Sequence, residues 1–457
     1  MKKVLSTVAA LGLVAGLAST AAAVEFKMSG KYLVEGAYLS DSTGNGIKTT
    51  EAAAENNASN AYWLHTFEVR PTMQVNDKIS MSSVIRLADD TFWGSQADTA
   101  AGTSNVNNAG DVYVHQLYMD YASPIGNMRF GRVPAGAYGT AFMDFNQRAD
   151  RVMWWPSFMA SGPVTTLFYM QKSTDNNNAN NGPTAPATAF GTVTTNNASD
   201  ADSTKYVGRV YYKDANLDAG MEYGFANNQT VATTNNVKQN VTLYGKYNLN
   251  NFFANAELVH YFGDKEYDAV GTAEQNYDSW AGMLQGGVKI DALTASLAYV
   301  YAEGQDITKQ NNTIQNALDT TGTGDMFEPL YILTGRHTGI LNNDIFNGST
   351  ASASAAGVHA IVAAADYAVS NQLTLHGAIG WAKADENVYK NGAVLTASND
   401  DEYGWEYNVG AAYKLLDNLT YEAHFGYLDT GDYFNGNSAT DITNNVYLMT
   451  HSLTMTF

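Results

Sequence analysis

From Tyr447 to Phe457 the chain alternates strictly enough to restrict what it can become. Odd positions read Tyr447, Met449, His451, Leu453, Met455 and Phe457, while even positions read Leu448, Thr450, Ser452, Thr454 and Thr456. Successive side chains on a strand point to opposite faces, so the segment presents a mostly apolar stripe to one side and a hydroxyl-rich stripe to the other. A final strand of this kind, closed by an aromatic residue, suits a barrel that must seal its sheet in a bilayer, where no backbone polar group can be left open. The expected location is the outer membrane of a bacterium.

The other end of the chain agrees. Met1, Lys2 and Lys3 form a basic region, Val4 to Leu17 are almost all apolar or small, and Ala21-Ala22-Ala23 fits the small-residue cleavage rule. Residues 1–23 therefore read as a signal peptide. Its apolar run is too short for a membrane span, and no later stretch approaches the roughly 20 continuous apolar residues of a spanning helix. Cleavage after Ala23 leaves residues 24–457 as one β-barrel domain without a separate plug. Loss of Lys2 and Lys3 makes a chain of formal charge −20 still more acidic by two charges.

Cysteine is absent, which excludes disulfides, thiolate metal sites and haem attachment through C-x-x-C-H, and no cofactor is expected. The acidic balance opposes nucleic-acid binding, because a phosphate backbone needs clustered Lys and Arg. A soluble exoprotein would share that charge. The decision rests on pattern.

Alternating segments recur along the whole chain. Glu25 to Leu39 sets Phe26, Met28, Tyr32, Val34 and Tyr38 against Lys27, Ser29, Lys31 and Glu35; Tyr62 to Val75 sets Trp63, Phe67, Val69, Met73 and Val75 against Thr66, Glu68, Arg70 and Gln74. After a turn at Asn76-Asp77, Ile79, Met81, Ile85 and Leu87 oppose Ser80, Ser82 and Arg86, completing a hairpin. Further on, Glu222 opposes Met221 and Tyr223, Glu257 opposes Phe252 and Leu258, and Glu422 opposes Tyr421 and Phe425. Glu402, Glu406, Asn408 and Lys414 oppose Tyr403, Trp405, Tyr407, Val409 and Tyr413. This is the lipid-out, water-in signature of a transmembrane barrel.

Short links fall near Asn76, Pro124, Ala215, Asn250, Asp291, Ser370 and Asp417, and long ones around 40–61, 91–110, 172–203, 264–277, 304–356, 385–400 and 430–444. Short and long alternate, as periplasmic turns and extracellular loops do. Parity demands one strand beyond the clear segments, and Arg148 to Trp155 supplies it. The expected fold is an all-β, transmembrane antiparallel barrel of about 18 strands, with about 16 as the alternative count; barrels of that size enclose an aqueous channel.

Something must narrow so wide a barrel. Arg129 to Gly162 is the candidate, with Arg129, Arg132, Asp144, Arg148, Asp150 and Arg151 as constriction residues among Phe142, Phe145, Trp154 and Trp155. The expected pore wall comprises Glu68, Arg70, Arg86, Arg209, Glu222, Glu257, Glu406 and Glu422. Arginine clusters early, with only Arg209 and Arg336 beyond position 151, so a transverse field across the pore is expected, and guanidinium groups suit anions and carboxylates. The competing reading pairs these arginines with neighbouring acids that hold a folded-in loop in place.

The run Asp111 to Tyr121, then Met128-Arg129-Phe130-Gly131-Arg132-Val133-Pro134 and Tyr138-Gly139, resembles the strand-turn-strand and G-R-x-x…Y-G region of the alginate-export-like porins. Phe327-Glu328-Pro329-Leu330-Tyr331 with His337 is a second, shorter match. Ala23 to Lys31 resembles the start of the major porins of metal-reducing deltaproteobacteria. The alginate-export-like resemblance implies an 18-stranded outer-membrane channel, and neither resemblance defines a substrate.

The functional expectation is a passive diffusion porin for small hydrophilic solutes and ions, held in outer-membrane lipid and lipopolysaccharide, with a homotrimer expected from architecture and no metal or catalytic site. A sleeve around a partner, such as an electron-transfer protein, is the alternative. An outer-membrane hydrolase is the third reading, against which stand the missing G-x-S-x-G and H-E-x-x-H motifs.

Overall fold

The computed structural model describes residues 24–40, 42–43, 46–47, 60–93, 112–134, 138–142, 148–174, 203–229, 234–267, 273–316, 327–334, 355–391, 394–398, 400–435 and 445–457. Residues 1–23, expected as a signal peptide, lie outside the described residues. The barrel strands are β1 (Glu25–Leu39), β2 (Asn60–Asn76), β3 (Ile79–Phe92), β4 (Tyr113–Ser123), β5 (Gly126–Pro134), β6 (Arg148–Pro156), β7 (Val164–Thr174), β8 (Ser203–Lys213) and β9 (Leu217–Asn228). They continue with β10 (Thr234–Leu249), β11 (Phe252–Tyr267), β12 (Gln275–Ile290), β13 (Leu293–Ala302), β14 (Val358–Ala368), β15 (Leu373–Lys383), β16 (Glu402–Leu416), β17 (Leu419–Thr430) and β18 (Val446–Thr456). Together they make a closed antiparallel barrel of 18 strands. Arg148–Pro156 is one of them, as strand parity requires.

Closure depends on the two ends of the chain. β1 pairs with β2 on one side and with β18 on the other, in registers that place Tyr32 beside Met455 and Val34 beside Leu453. The apolar stripes therefore run on around the outside without a break. Gly30 and Phe457 exchange two backbone hydrogen bonds of 2.8 and 3.1 Å. The Phe457 ring lies over Gly30, where a Cβ would meet it and would stand 2.7 Å from the Glu68 carbonyl. Only glycine permits that approach.

Short turns are built by local chemistry. The Asn76 Oδ1 accepts the amides of Lys78 and Ile79, and Asp214 Oδ1 accepts those of Asn216 and Leu217, side-chain mimics of a backbone turn. Asn250 and Asp291 adopt φ of 53° and 50°, which two-residue hairpin loops require. Outside, Trp63, Trp93, Trp280, Trp405, Tyr299 and Tyr407 are exposed, the aromatic dress of a membrane barrel.

Two departures from the expected alternation bear on the lumen. Tyr403, expected outward, is fully buried on the lumen side with its hydroxyl donating to the Gly357 carbonyl at 2.8 Å and its ring 4.6 Å from that of Tyr433. Gly404, at φ 119°, and a register shift at Ala382/Lys383 reset the parity of β16 there. The water-in rule also fails on β12 to β14, where lumen-facing Ala281, Met283, Val300, Ala302, Val358, Ala360 and Val362 are buried in one apolar cluster. The segment 327–334 covers them.

Replacing Gly30 with Leu should overpack the seam under Phe457. We expect a loss of about 1–3 kcal/mol, read as a lower temperature at which the folded form gives way to the unfolded band on semi-native electrophoresis.

Candidate functional site

Two segments enter the barrel from its long-loop end. In the first, residues 138–142 between β5 and β6, Thr140 donates its amide to Glu257 Oε2 on β11 at 2.9 Å and its hydroxyl to the same oxygen. Lys246 on β10 donates to the Gly139 carbonyl at 2.8 Å. The Tyr138 ring stands 5.0 and 5.5 Å from those of Tyr244 and Tyr211, with the Arg209 guanidinium 4.5 Å away over its face. Gly139 is at φ 81° and lies against the Tyr244 ring, where a side chain would collide. These contacts carry the segment from the β5–β6 edge to the β8–β11 wall.

The second segment, 327–334, is held by a single carboxylate. Amides of Tyr331, Ile332 and Leu333 donate to Glu406 at 2.8, 2.7 and 2.6 Å, and Glu406 on β16 is completely buried. Successive amides converging on one anion form a nest. A buried charge is costly unless hydrogen-bonded, and three donors supply that compensation. Leu330, Ile332 and Leu333 pack among Val300, Val358, Val362 and Leu448, while the Tyr331 hydroxyl meets His424 Nδ1 at 2.9 Å. Phe142 and Phe327 touch edge to face with centroids 5.7 Å apart, so the two inward segments support each other.

The polar side of the lumen lies on β2 to β11. Glu68 is buried between Arg70 and Arg86, and Arg86 also reaches Asp89. Arg129 grips Asp120 through two hydrogen bonds of 2.6 and 3.1 Å and stands 4.4 Å over Tyr118. Arg151 donates to Gln171 at 2.8 Å and stands 4.7 Å over Tyr169. Arg209 donates to Glu222 at 2.6 Å, and Asn240 donates to the other oxygen of that acid. Across the lumen, Glu422 lies 3.9 Å from His424 Nε2. Arg70 and Arg129 keep 54% and 29% of their side-chain surface exposed, so neither is sealed by its pairing.

The eight expected wall residues all stand on lumen-facing positions. The six expected constriction residues divide. Arg129 and Arg151 face the lumen, but Arg132 and Asp150 pair with each other on the opposite stripe, in register with exposed Leu117 and two residues from exposed Val152. A strand has period two, so Arg129 and Arg132, three residues apart, cannot share a face. Arg148 shares the parity of Asp150 and sits at the long-loop rim, its guanidinium 2.7 Å from His115 Nδ1 and over Tyr113. Asp144 lies outside the described residues. Sequence reading missed Tyr138, Thr140, Lys246 and the 331–333 amides, although the Tyr138-Gly139 and Phe327 to Tyr331 motifs mark both inward segments.

Beyond the strand ends at the same rim, Glu303 and Glu386 are pushed up from the ordinary carboxylate range, each chiefly by burial, and Glu386 next by Asp385 and Asp306. Acids so placed hold protons more readily than solvated ones.

No family model matches the sequence, and no curated protein does. Solved structures share the fold. OpdO of Pseudomonas aeruginosa is similar at a TM-score of 0.53 with 10% identity, over 94% of this chain and 97% of that one. OccK11 (OpdR) of the same organism gives 0.51 with 8% identity, over 94% and 96%. A BenF-like porin of Pseudomonas fluorescens Pf-5 gives 0.50 with 12% identity, over 94% and 99%. The likeness to these structures is one of fold, a closed barrel of matching extent.

Glu406→Ala would strip three amides of their acceptor. We expect roughly 3 kcal/mol of destabilisation and, as segment 327–334 loosens, a higher single-channel conductance with more current noise in planar bilayers.

Proposed function

We propose that the chain is a passive diffusion channel of a Gram-negative outer membrane for small hydrophilic solutes and ions, narrowed by a charged constriction. The observation that carries this reading is the division of the lumen. One arc is apolar and filled by segment 327–334, whereas the other keeps guanidinium, tyrosine and carboxylate groups facing the interior. An apolar belt outside and a polar lane inside are what a water-filled path through a bilayer needs.

In this reading the short turns face the periplasm and the long loops face outward, in contact with lipopolysaccharide, and the barrel assembles as a homotrimer. Arg129, Arg151 and Arg209 with segment 138–142 form the eyelet, and Arg70, Arg86, Glu68, Glu222, Glu257, Glu406 and Glu422 its surroundings. The porin name of the Pseudomonas fluorescens neighbour and the alginate-export-like resemblance support it, since the resembling stretches are β4, β5 and the inward tip. Against a sleeve stand the two inward segments, which occupy the space a threaded partner would need. Among the described residues no reacting constellation favours hydrolysis, and in this reading solutes pass unaltered.

Arg129→Ala combined with Arg151→Ala should shift the reversal potential in a salt gradient towards cation preference, while Arg132→Ala, on the outer stripe, should leave it unchanged. Unaltered selectivity in the double variant would remove these arginines from the eyelet.

A further inference from the structure

At the short-turn rim, on the barrel side of Arg129, wall and turns line an open cavity of about 780 Å³. That lies within the roughly 300–1,000 Å³ of small-molecule sites. Its charged lining consists of Asp77, Lys78, Asp120 and Arg129, two acids against two bases. It carries no formal net charge. An ion entering it would meet attraction and repulsion together, whereas a neutral molecule with many hydroxyls would find partners of both kinds.

The polar groups are fixed in place. Asp120 and Arg129 are register partners on β4 and β5, and their two mutual hydrogen bonds hold both planar groups edge to edge. The remaining guanidinium N–H groups and carboxylate lone pairs then form a rigid row of donors and acceptors. Asn127, two residues before Arg129, and Ser80, beside Asp120, add neutral polar groups on the same face. Trp155 is the register partner of Asn127 and supplies an aromatic wall, its ring 5.9 Å from the Arg129 guanidinium carbon. Fixed planar polar groups beside one aromatic face match a ring that carries hydroxyls at its edge and C–H groups on its face.

We propose that this cavity is a binding subsite for neutral polyhydroxylated solutes, sugars and polyols, at the end of the channel. The proposal rests on the channel reading and deepens it by naming a solute class that pauses there. Two measurements separate the two. In planar bilayers, sucrose should interrupt the current of the full channel in a saturable way, and the anion glucuronate should be at least fivefold weaker. Trp155→Ala should weaken the sucrose effect at least fivefold, and Trp155→Phe should restore most of it. In detergent, a sucrose titration of tryptophan emission, taken as the difference between the native protein and Trp155→Phe, reads the cavity without any current.

A channel that conducts normally but shows no saturable response to sucrose, an equal response after Trp155→Ala, or stronger binding of glucuronate would overturn the subsite and leave the channel standing. A folded barrel that passes no ions yet shows the sucrose-dependent Trp155 signal would do the reverse.

Discussion

A sheet in hydrocarbon cannot have an edge. Each unpaired amide or carbonyl there would cost several kcal/mol, and everything else in this barrel follows from removing them. Pairing β1 with β18 removes the last edge, and the close approach of Phe457 to Gly30 fixes where that seam falls. Once the cylinder is closed, alternation assigns every side chain either to lipid or to the interior. An interior bounded by so many strands is too wide to be filled by wall side chains alone. It must be flooded or packed, and this chain does both, on different arcs.

Packing the lumen with loop segments raises the original problem again, because a loop brings its own unpaired amides into a space with little water. Glu257 and Glu406 answer it from the wall. Each points a carboxylate at amides of an inward segment, one receiving Thr140 and the other receiving three residues in succession. A lysine could not serve, since it only donates. The acidic excess of the chain is therefore partly structural. Glu68, Glu222, Glu257 and Glu406 are all buried and all engaged, so they stiffen the interior rather than coat the surface.

Much of this was legible in the sequence because period two needs only local information. The strands, the turns at Asn76, Asn250 and Asp291, and the lumen-facing carboxylates could all be read that way. Register and parity resets could not, and Tyr403 shows why: one glycine at positive φ turned a residue from lipid to lumen without changing the composition around it. Arg132 and Asp150 are a different case. Parity alone would have separated them from Arg129 and Arg151, but clustering along the chain suggested clustering in space. The inward segments left a quieter trace. Strands that are apolar on both faces, such as Leu297 to Ala302 and Ala360 to Ala365, have no reason to face water, and their partner is a loop distant in sequence.

Pairing also governs the arginines of the lumen. A guanidinium on a long, free stem in a wet lumen would sample many positions and offer a solute only a diffuse charge. Here each lumen-facing arginine among the described residues is tied by a carboxylate or an amide oxygen, and Arg129, Arg151 and Arg209 are also backed by aromatic rings. Pairing reduces the long-range field of each group, which salt screens beyond about 8–10 Å in any case. What survives is short-ranged and directional: N–H edges held at fixed points along β5 to β8. In the channel proposed here, such a wall would discriminate among solutes by where their acceptors sit as they pass, more than by net charge at the mouth. The carboxylates that neutralise the arginines are thereby also what fixes their N–H groups in direction.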